Sequence, residues 1–135
     1  MTGMEPLFES GKRVAVWGAI AAIGVTSLLP AADVSPMRTS MGGHVEHLLV
    51  YAATALLAAS AYIDHGRIKI ALSLILYAAA LEYLQRYSPG RLSSLMDLTF
   101  STTGVLLGLA TFQVIRVLRE RHTRAVAVRD PPIQI

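Results

Sequence analysis

The chain has 135 residues, 53% of them hydrophobic and only 16% charged, with a mean hydropathy of +0.50. Soluble domains carry about 25% charged residues, so the composition points to the bilayer rather than to a water-exposed fold. The formal charge is +3, and the absence of cysteine excludes disulfides, thiol chemistry and zinc–thiolate sites.

Residues 1–12 read as a short unpacked leader, followed by a first apolar block, Val14–Leu29. A cleaved signal peptide is the alternative reading of this block. The run is slightly too long for one and no clear small-x-small cleavage pattern follows, so a retained helix is expected. The Pro30–Gly43 loop carries Pro36 and the Gly42-Gly43 pair, which break any helix before His44. Leu48–Ile63 is the second block, and Asp64-His65-Gly66 makes a tight turn after it. The third block, Ile70–Leu81, is the shortest. It spans only if Arg67 and Lys69 snorkel at one end and Glu82 is sheltered at the other. Ser88-Pro89-Gly90 predicts the next turn, because the residue before a proline is biased away from helix. Leu98–Val117 is the cleanest span, and residues 122–135 form a basic tail, predicted to be disordered, ending in Pro131-Pro132 and IQI.

Crossing the hydrocarbon core takes roughly 20 helical residues, and the blocks reach this with their flanks included. The expected fold is all-α: an integral-membrane antiparallel bundle of four transmembrane helices over residues 13–121. A soluble four-helix bundle would need polar outer faces that the second and third blocks lack. Nine of the twelve basic residues flank the N-terminal leader, the 64–69 turn or the C-terminal tail. The other three, Arg38, Arg86 and Arg91, lie in the two remaining connections. The positive-inside rule then puts both termini in the cytoplasm of a multi-pass inner (plasma) membrane protein, with the Pro30–Gly43 and Gln85–Leu95 loops outside. Basic charge beside a membrane span sets topology or touches anionic lipid, so membrane lipids are the expected partners and nucleic acid is not.

Several polar residues fall on the outward level of this topology. Glu82 and Gln85, three apart, share a helix face. His44, Glu46 and His47 open the second helix with Tyr51 one turn on, and Asp97 opens the fourth. Together with Arg86 and Arg91 they are placed to line one outward pocket. Carboxylates this close to lipid face a partner or a cavity. Structural readings stand beside this one. Ser94-x-x-Asp97 fits a capping box, the arginines suit headgroup anchoring, and Glu82–Arg86 suits an i,i+4 ion pair. The H-x-E-H spacing is weak as a metal motif, and no phosphate loop or nucleophile elbow is present, so neither metal nor cofactor is expected. Gly104-x-x-x-Gly108 allows close approach of a neighbouring helix.

Glu46-His47-Leu-Leu-Val-Tyr51-Ala, then Leu81-Glu82-x-x-Gln85, Pro89-Gly90-Arg91, Asp97 and Gly104-x-x-x-Gly108, resembles the VanZ-like family over about residues 44–110. Members are small integral membrane proteins, named for one linked to low-level resistance to the glycopeptide teicoplanin. Where they often carry Asn four residues after the Asp, this chain has Ser101, which lacks the amide's paired donor and acceptor. The resemblance implies a role in the bacterial cell envelope and fixes no mechanism. The expected function is recognition of an amphiphilic ligand, such as a lipid-linked wall precursor, a lipid headgroup or a lipophilic glycopeptide. In that expectation Arg86 and Arg91 hold an anionic group, Glu82 and Gln85 fix polar substituents, and His47 and Tyr51 close the inner wall. The alternatives are a membrane enzyme acting on a lipid phosphate, with Glu82 as acid or base beside His47 or Asp97, and a scaffold subunit of a membrane complex.

Overall fold

The computed structural model of the chain describes residues 4–34 and 42–129, with side chains over 10–34 and 42–125. The helices are α1 (Met4–Leu28), the single turn α2 (Ala31–Val34), α3 (Gly43–Ala61), α4 (Arg67–Leu84) and α5 (Leu95–Arg129). A 3-10 turn, Gln85–Tyr87, extends α4. Every regular element among the described residues is helical. Pro36 and Arg38, and the Pro131-Pro132 end of the tail, lie outside the described residues.

Three helices are long and apolar enough to cross a membrane: Gly43–Ala61, Arg67–Tyr87 and Leu95–Ala125. The chain is therefore a membrane protein by length and composition. The third apolar block qualifies because its helix runs past the apolar residues at both ends, to Arg67 and Tyr87. Charge at a helix end marks depth in the membrane; it does not break the backbone ladder. α1 is not among the three, since Lys12, Arg13, Thr26 and Ser27 lie within its described part. Two expected boundaries move. α1 is already helical from Met4, inside the expected leader, and α5 passes Arg121 to reach Arg129. Residues 121–129 contain no proline or glycine to end that helix.

Packing differs from that of a soluble domain in having an apolar outer surface as well as an apolar core. Many residues facing inward are small or polar, Ala55, Ala58 and Ala59 of α3, Ala78 of α4, and Ser101, Gly104 and Gly108 of α5, beside a few large ones such as Tyr51, Leu74, Leu81, Val105 and Leu109. Large aliphatic side chains face outward, including Leu72, Leu76, Leu106, Leu107, Val114 and Leu118. In water such a surface is an aggregation liability; in lipid it is solvated, and small inward residues let backbones approach. α1 follows the same helical period, burying Val16, Ile23 and Ser27 on one stripe.

The closest contact is between α3 and α5. A Cβ added at Gly104 would stand 3.1 Å from the Ala52 nitrogen and closer still to the Leu48 carbonyl oxygen. One at Gly108 would stand 3.0 Å from the Ala55 Cβ and overlap the Ala52 carbonyl oxygen. The order of these contacts makes α3 and α5 run in the same sense. α1 and α4 also run together, with the Tyr77 hydroxyl donating to the Ile20 carbonyl at 2.7 Å and the Ser88 hydroxyl to the Leu28 carbonyl at 2.8 Å. Turns at 62–66 and 88–94 reverse the chain between them. All four long helices thus contribute to one polar end, built around the 88–94 segment.

Candidate functional site

The polar end is organised by the first turns of α5. Ser94 precedes the helix, and its hydroxyl accepts the Asp97 N–H at 3.4 Å, the first half of a capping box. In an intramolecular box the carboxylate three residues on would return to the Ser94 N–H. Here that carboxylate is taken: Asp97 Oδ1 lies 2.6 Å from His44 Nδ1 on α3. The Ser94 N–H instead donates to Glu82 Oε1, a carboxylate from α4. Glu82 thereby completes the cap from a neighbouring helix and satisfies a donor that α5 leaves open.

One turn further in, His47 Nδ1 lies 3.1 Å from Ser101 Oγ. Ser94, Asp97 and Ser101 thus form an i, i+3, i+7 stripe on α5, meeting Glu82, His44 and His47 in turn. The stripe continues inward as Gly104, Val105 and Gly108, so one helix face passes from polar to tightly packed apolar. The His47 ring stacks near Tyr51, 6.4 Å between centroids, and buried Tyr51 joins Leu81, Val105 and Ala55 in the core beneath. A serine touching a histidine has the form of an activated nucleophile. Ser101, however, is only 2% exposed and wedged between α3 and α5, which makes the contact an interhelical tie.

Glu82 of α4 and Gln85 of the 3-10 turn that extends it are deeply buried, at 6% and 2% exposure. Among the described residues neither the second Glu82 oxygen nor the Gln85 side-chain amide bonds to another group of the chain. Yet no fully enclosed side-chain nitrogen or oxygen among the described residues lacks a partner. The small exposure these two residues retain therefore lies at their polar atoms. Glu82→Gln keeps an oxygen for the Ser94 N–H, whereas Glu82→Ala removes it. The alanine variant is expected to lose about 1 kcal/mol of cap stability. Faster hydrogen exchange at the Ser94 amide in the alanine variant alone is the check.

The two arginines expected at the site go elsewhere. The Arg86 guanidinium lies over the Tyr83 ring, 4.8 Å from its centroid, on an exposed face, and makes no ion pair with Glu82. Arg91 reaches α1, where Nη2 donates to the Thr26 carbonyl at 2.6 Å and Nε to the Leu29 carbonyl at 3.3 Å. It does so because Ser88–Arg91 forms a turn closed by the Arg91 N–H on the Ser88 carbonyl at 3.1 Å, with Gly90 at φ 74. Proline second and a positive-φ glycine third give the type II geometry. The Pro89 carbonyl also accepts the Ala31 N–H at 3.1 Å. The Pro-Gly-Arg segment is a clamp on the end of α1.

His44, 52% exposed at its side chain, stands at the mouth with Phe100 stacked at 5.4 Å. Glu46 is half-buried on the first turn of α3. No group of three or more His, Asp or Glu side chains among the described residues is placed to hold a metal ion. Of the residues named from sequence, His44, His47, Asp97, Ser101 and Glu82 join one continuous seam, and Gln85 and Tyr51 border it. Ser94, the residue at the centre of the arrangement, was read only as a capping residue. Its signal was the polar i, i+3, i+7 spacing of Ser94, Asp97 and Ser101.

No family model, curated protein or solved structure matches the chain.

Proposed function

We propose that this chain is a VanZ-like protein of the bacterial plasma membrane whose polar end binds the head of an amphiphilic ligand. In this reading all four long helices cross the bilayer as an antiparallel bundle, both termini are cytoplasmic, and the 88–94 end faces outward. The charge asymmetry supports that orientation. The aromatic residues support the spanning, with Trp17 and Tyr62 hydrogen-bonded at one end, and Tyr83, beneath Arg86, in edge contact with Tyr87 at the other. Aromatics at two levels fit the two headgroup regions of a bilayer.

The observation that carries the reading is the pair Glu82 and Gln85, buried at a membrane-helix end with open hydrogen-bonding atoms. Polar atoms at this level are completed by whatever reaches their small exposed area, and a ligand head is the reading favoured here. Native mass spectrometry of protein extracted from its own membrane is expected to find one retained lipid or amphiphile per chain. Gln85→Leu is expected to lose that mass with helix content unchanged. Retention of the same mass by the leucine variant refutes the site. A contribution to glycopeptide resistance belongs to the same reading, and a teicoplanin susceptibility test addresses it.

A membrane enzyme is the second reading, favoured by the His44–Asp97 pair. A half-exposed imidazole oriented by a carboxylate has the form of a general base. Conversion of a labelled polyprenyl phosphate by the purified protein would support it. A scaffold role loses its main surface, because the Gly104–Gly108 face is already covered by α3.

A further inference from the structure

We propose that the opposite end of the bundle from the polar end holds the headgroup phosphate of an anionic phospholipid, in a cavity between α3 and α4. The inference rests on the transmembrane arrangement proposed above and is independent of the ligand at the polar end. The cavity measures about 480 Å³ and is lined by Ile63, Asp64, His65, Gly66, Arg67 and Ile68. That volume lies within the range of small-molecule sites.

The neighbours of the cavity mark its depth. Tyr62, which ends α3, accepts a hydrogen bond from Trp17 Nε1 at 3.1 Å, and the Arg13 guanidinium lies over its ring at 5.5 Å. The His65 ring meets Tyr62 edge-on, 5.2 Å between centroids, and ties the cavity wall to the same group. Indole, phenol and guanidinium gathered at one helix end belong at the headgroup level of a bilayer.

The lining suits a phosphate that carries an acyl tail. Arg67 is half-buried, and among the described residues it makes no ion pair, although Asp64 lines the same cavity. Its planar fork therefore keeps its donors for an external oxyanion. Lys69 adds a second cation, exposed and likewise outside any ion pair among the described residues. Ile63 and Ile68 are 58% and 75% exposed at the two ends of the lining, where they offer apolar surface to the glycerol backbone and first acyl carbons. A free anion would use the arginine and leave both isoleucines uncovered. Asp64 repels a second negative charge but accepts from a hydroxyl, so the class is a singly charged phosphodiester with a polyol head.

The test titrates the full chain in neutral detergent with dimyristoylphosphatidylglycerol and with dimyristoylphosphatidylcholine, followed by native mass spectrometry. One phosphatidylglycerol per chain is expected to bind saturably, at least tenfold tighter than phosphatidylcholine. Arg67→Gln is expected to weaken it about tenfold, the scale of one charge-assisted hydrogen bond. Arg124→Gln removes the same charge from α5 away from the cavity and should leave binding unchanged, with helicity and elution volume confirming the fold of both variants. Equal weakening by the two substitutions would mean attraction by net charge alone and overturn the site. Equal binding of the two lipids would overturn the charge assignment. Displacement of the lipid by millimolar inorganic phosphate would overturn the lipid source, and persistence supports it. Gln85→Leu should leave phosphatidylglycerol binding intact, and Arg67→Gln should keep any mass held at the polar end, so either site can fail without the other.

Discussion

Gly104→Leu is expected to be the most damaging single change in the chain, destabilising it by about 3 kcal/mol or more. The reason is what the new side chain would meet. Its Cβ would lie 3.1 Å from the Ala52 nitrogen and inside the contact radius of the Leu48 carbonyl oxygen, and both are backbone atoms of α3. A flexible side chain moves aside; a helix backbone moves only as a whole. Separating α3 from α5 would also pull His44 from Asp97 and His47 from Ser101, since both pairs bridge the same seam. Packing loss and polar loss then add. Gly18→Leu is the control, because nothing lies within 4 Å of a Cβ there. It is expected to melt like the parent protein or slightly above, glycine being a poor helix interior residue. Thermal unfolding in detergent checks both, and a Gly104→Leu protein of parental stability would mean that α3 and α5 do not pack as described.

The same variant separates the functional readings. Glu82→Gln preserves the cap and the seam, so it should leave the fold intact and alter ligand binding alone. Gly104→Leu should affect both. A protein working through the polar end is sensitive to each. One working as a scaffold through its lipid-facing surface is insensitive to Glu82→Gln.

How far the residues themselves foretell this arrangement follows from what kind of energy fixes each part. The helical, membrane-embedded character is legible because it is additive: apolar residues over a sufficient length suffice, whatever their neighbours. Three of the four apolar blocks lie in helices both long and apolar enough to span. Helix ends are less legible, because a ladder of backbone hydrogen bonds continues through Arg67, Glu82 or Arg121 as readily as through leucine. The level of the polar residues is likewise a matter of counting along the chain. Their contacts are not. Asp97 was legible as the fourth member of a capping box, yet its carboxylate serves His44 and Glu82 takes its place at the Ser94 N–H. Both carboxylates suit that N–H in charge and reach, and only the register of α4 against α5 decides between them. The direction of Arg91 depends on the turn that carries it, and so on the dihedral angles of Gly90 rather than on any property of arginine.

Arg91→Ala is expected to loosen α1 without touching ligand affinity. The last carbonyls of a helix have no partner within it, and at α1 the Thr26 and Leu29 carbonyls are satisfied by this guanidinium. Positive charge at a helix C-terminus is favourable on its own account as well. Hydrogen bonds from a charged donor contribute about 1.5–3 kcal/mol, so losing this half-buried pair should cost α1 about 2 kcal/mol of local stability. The expected readout is hydrogen exchange some 30-fold faster at the amides of Leu28, Leu29 and Ala31, with those of α3 and α5 unchanged. Ser88 and Pro89 still hold Leu28 and Ala31, so α1 should remain in place rather than detach. Arg91→Lys should fall between the two, because an ammonium on a flexible stem does not reproduce the planar fork that reaches two carbonyls at once. The opposite pattern, lost ligand binding with α1 protection intact, would return Arg91 to the binding site and favour an anionic ligand after all. The arginine's role is thus decided by comparing two measurements on one variant: exchange along α1, and affinity at the polar end.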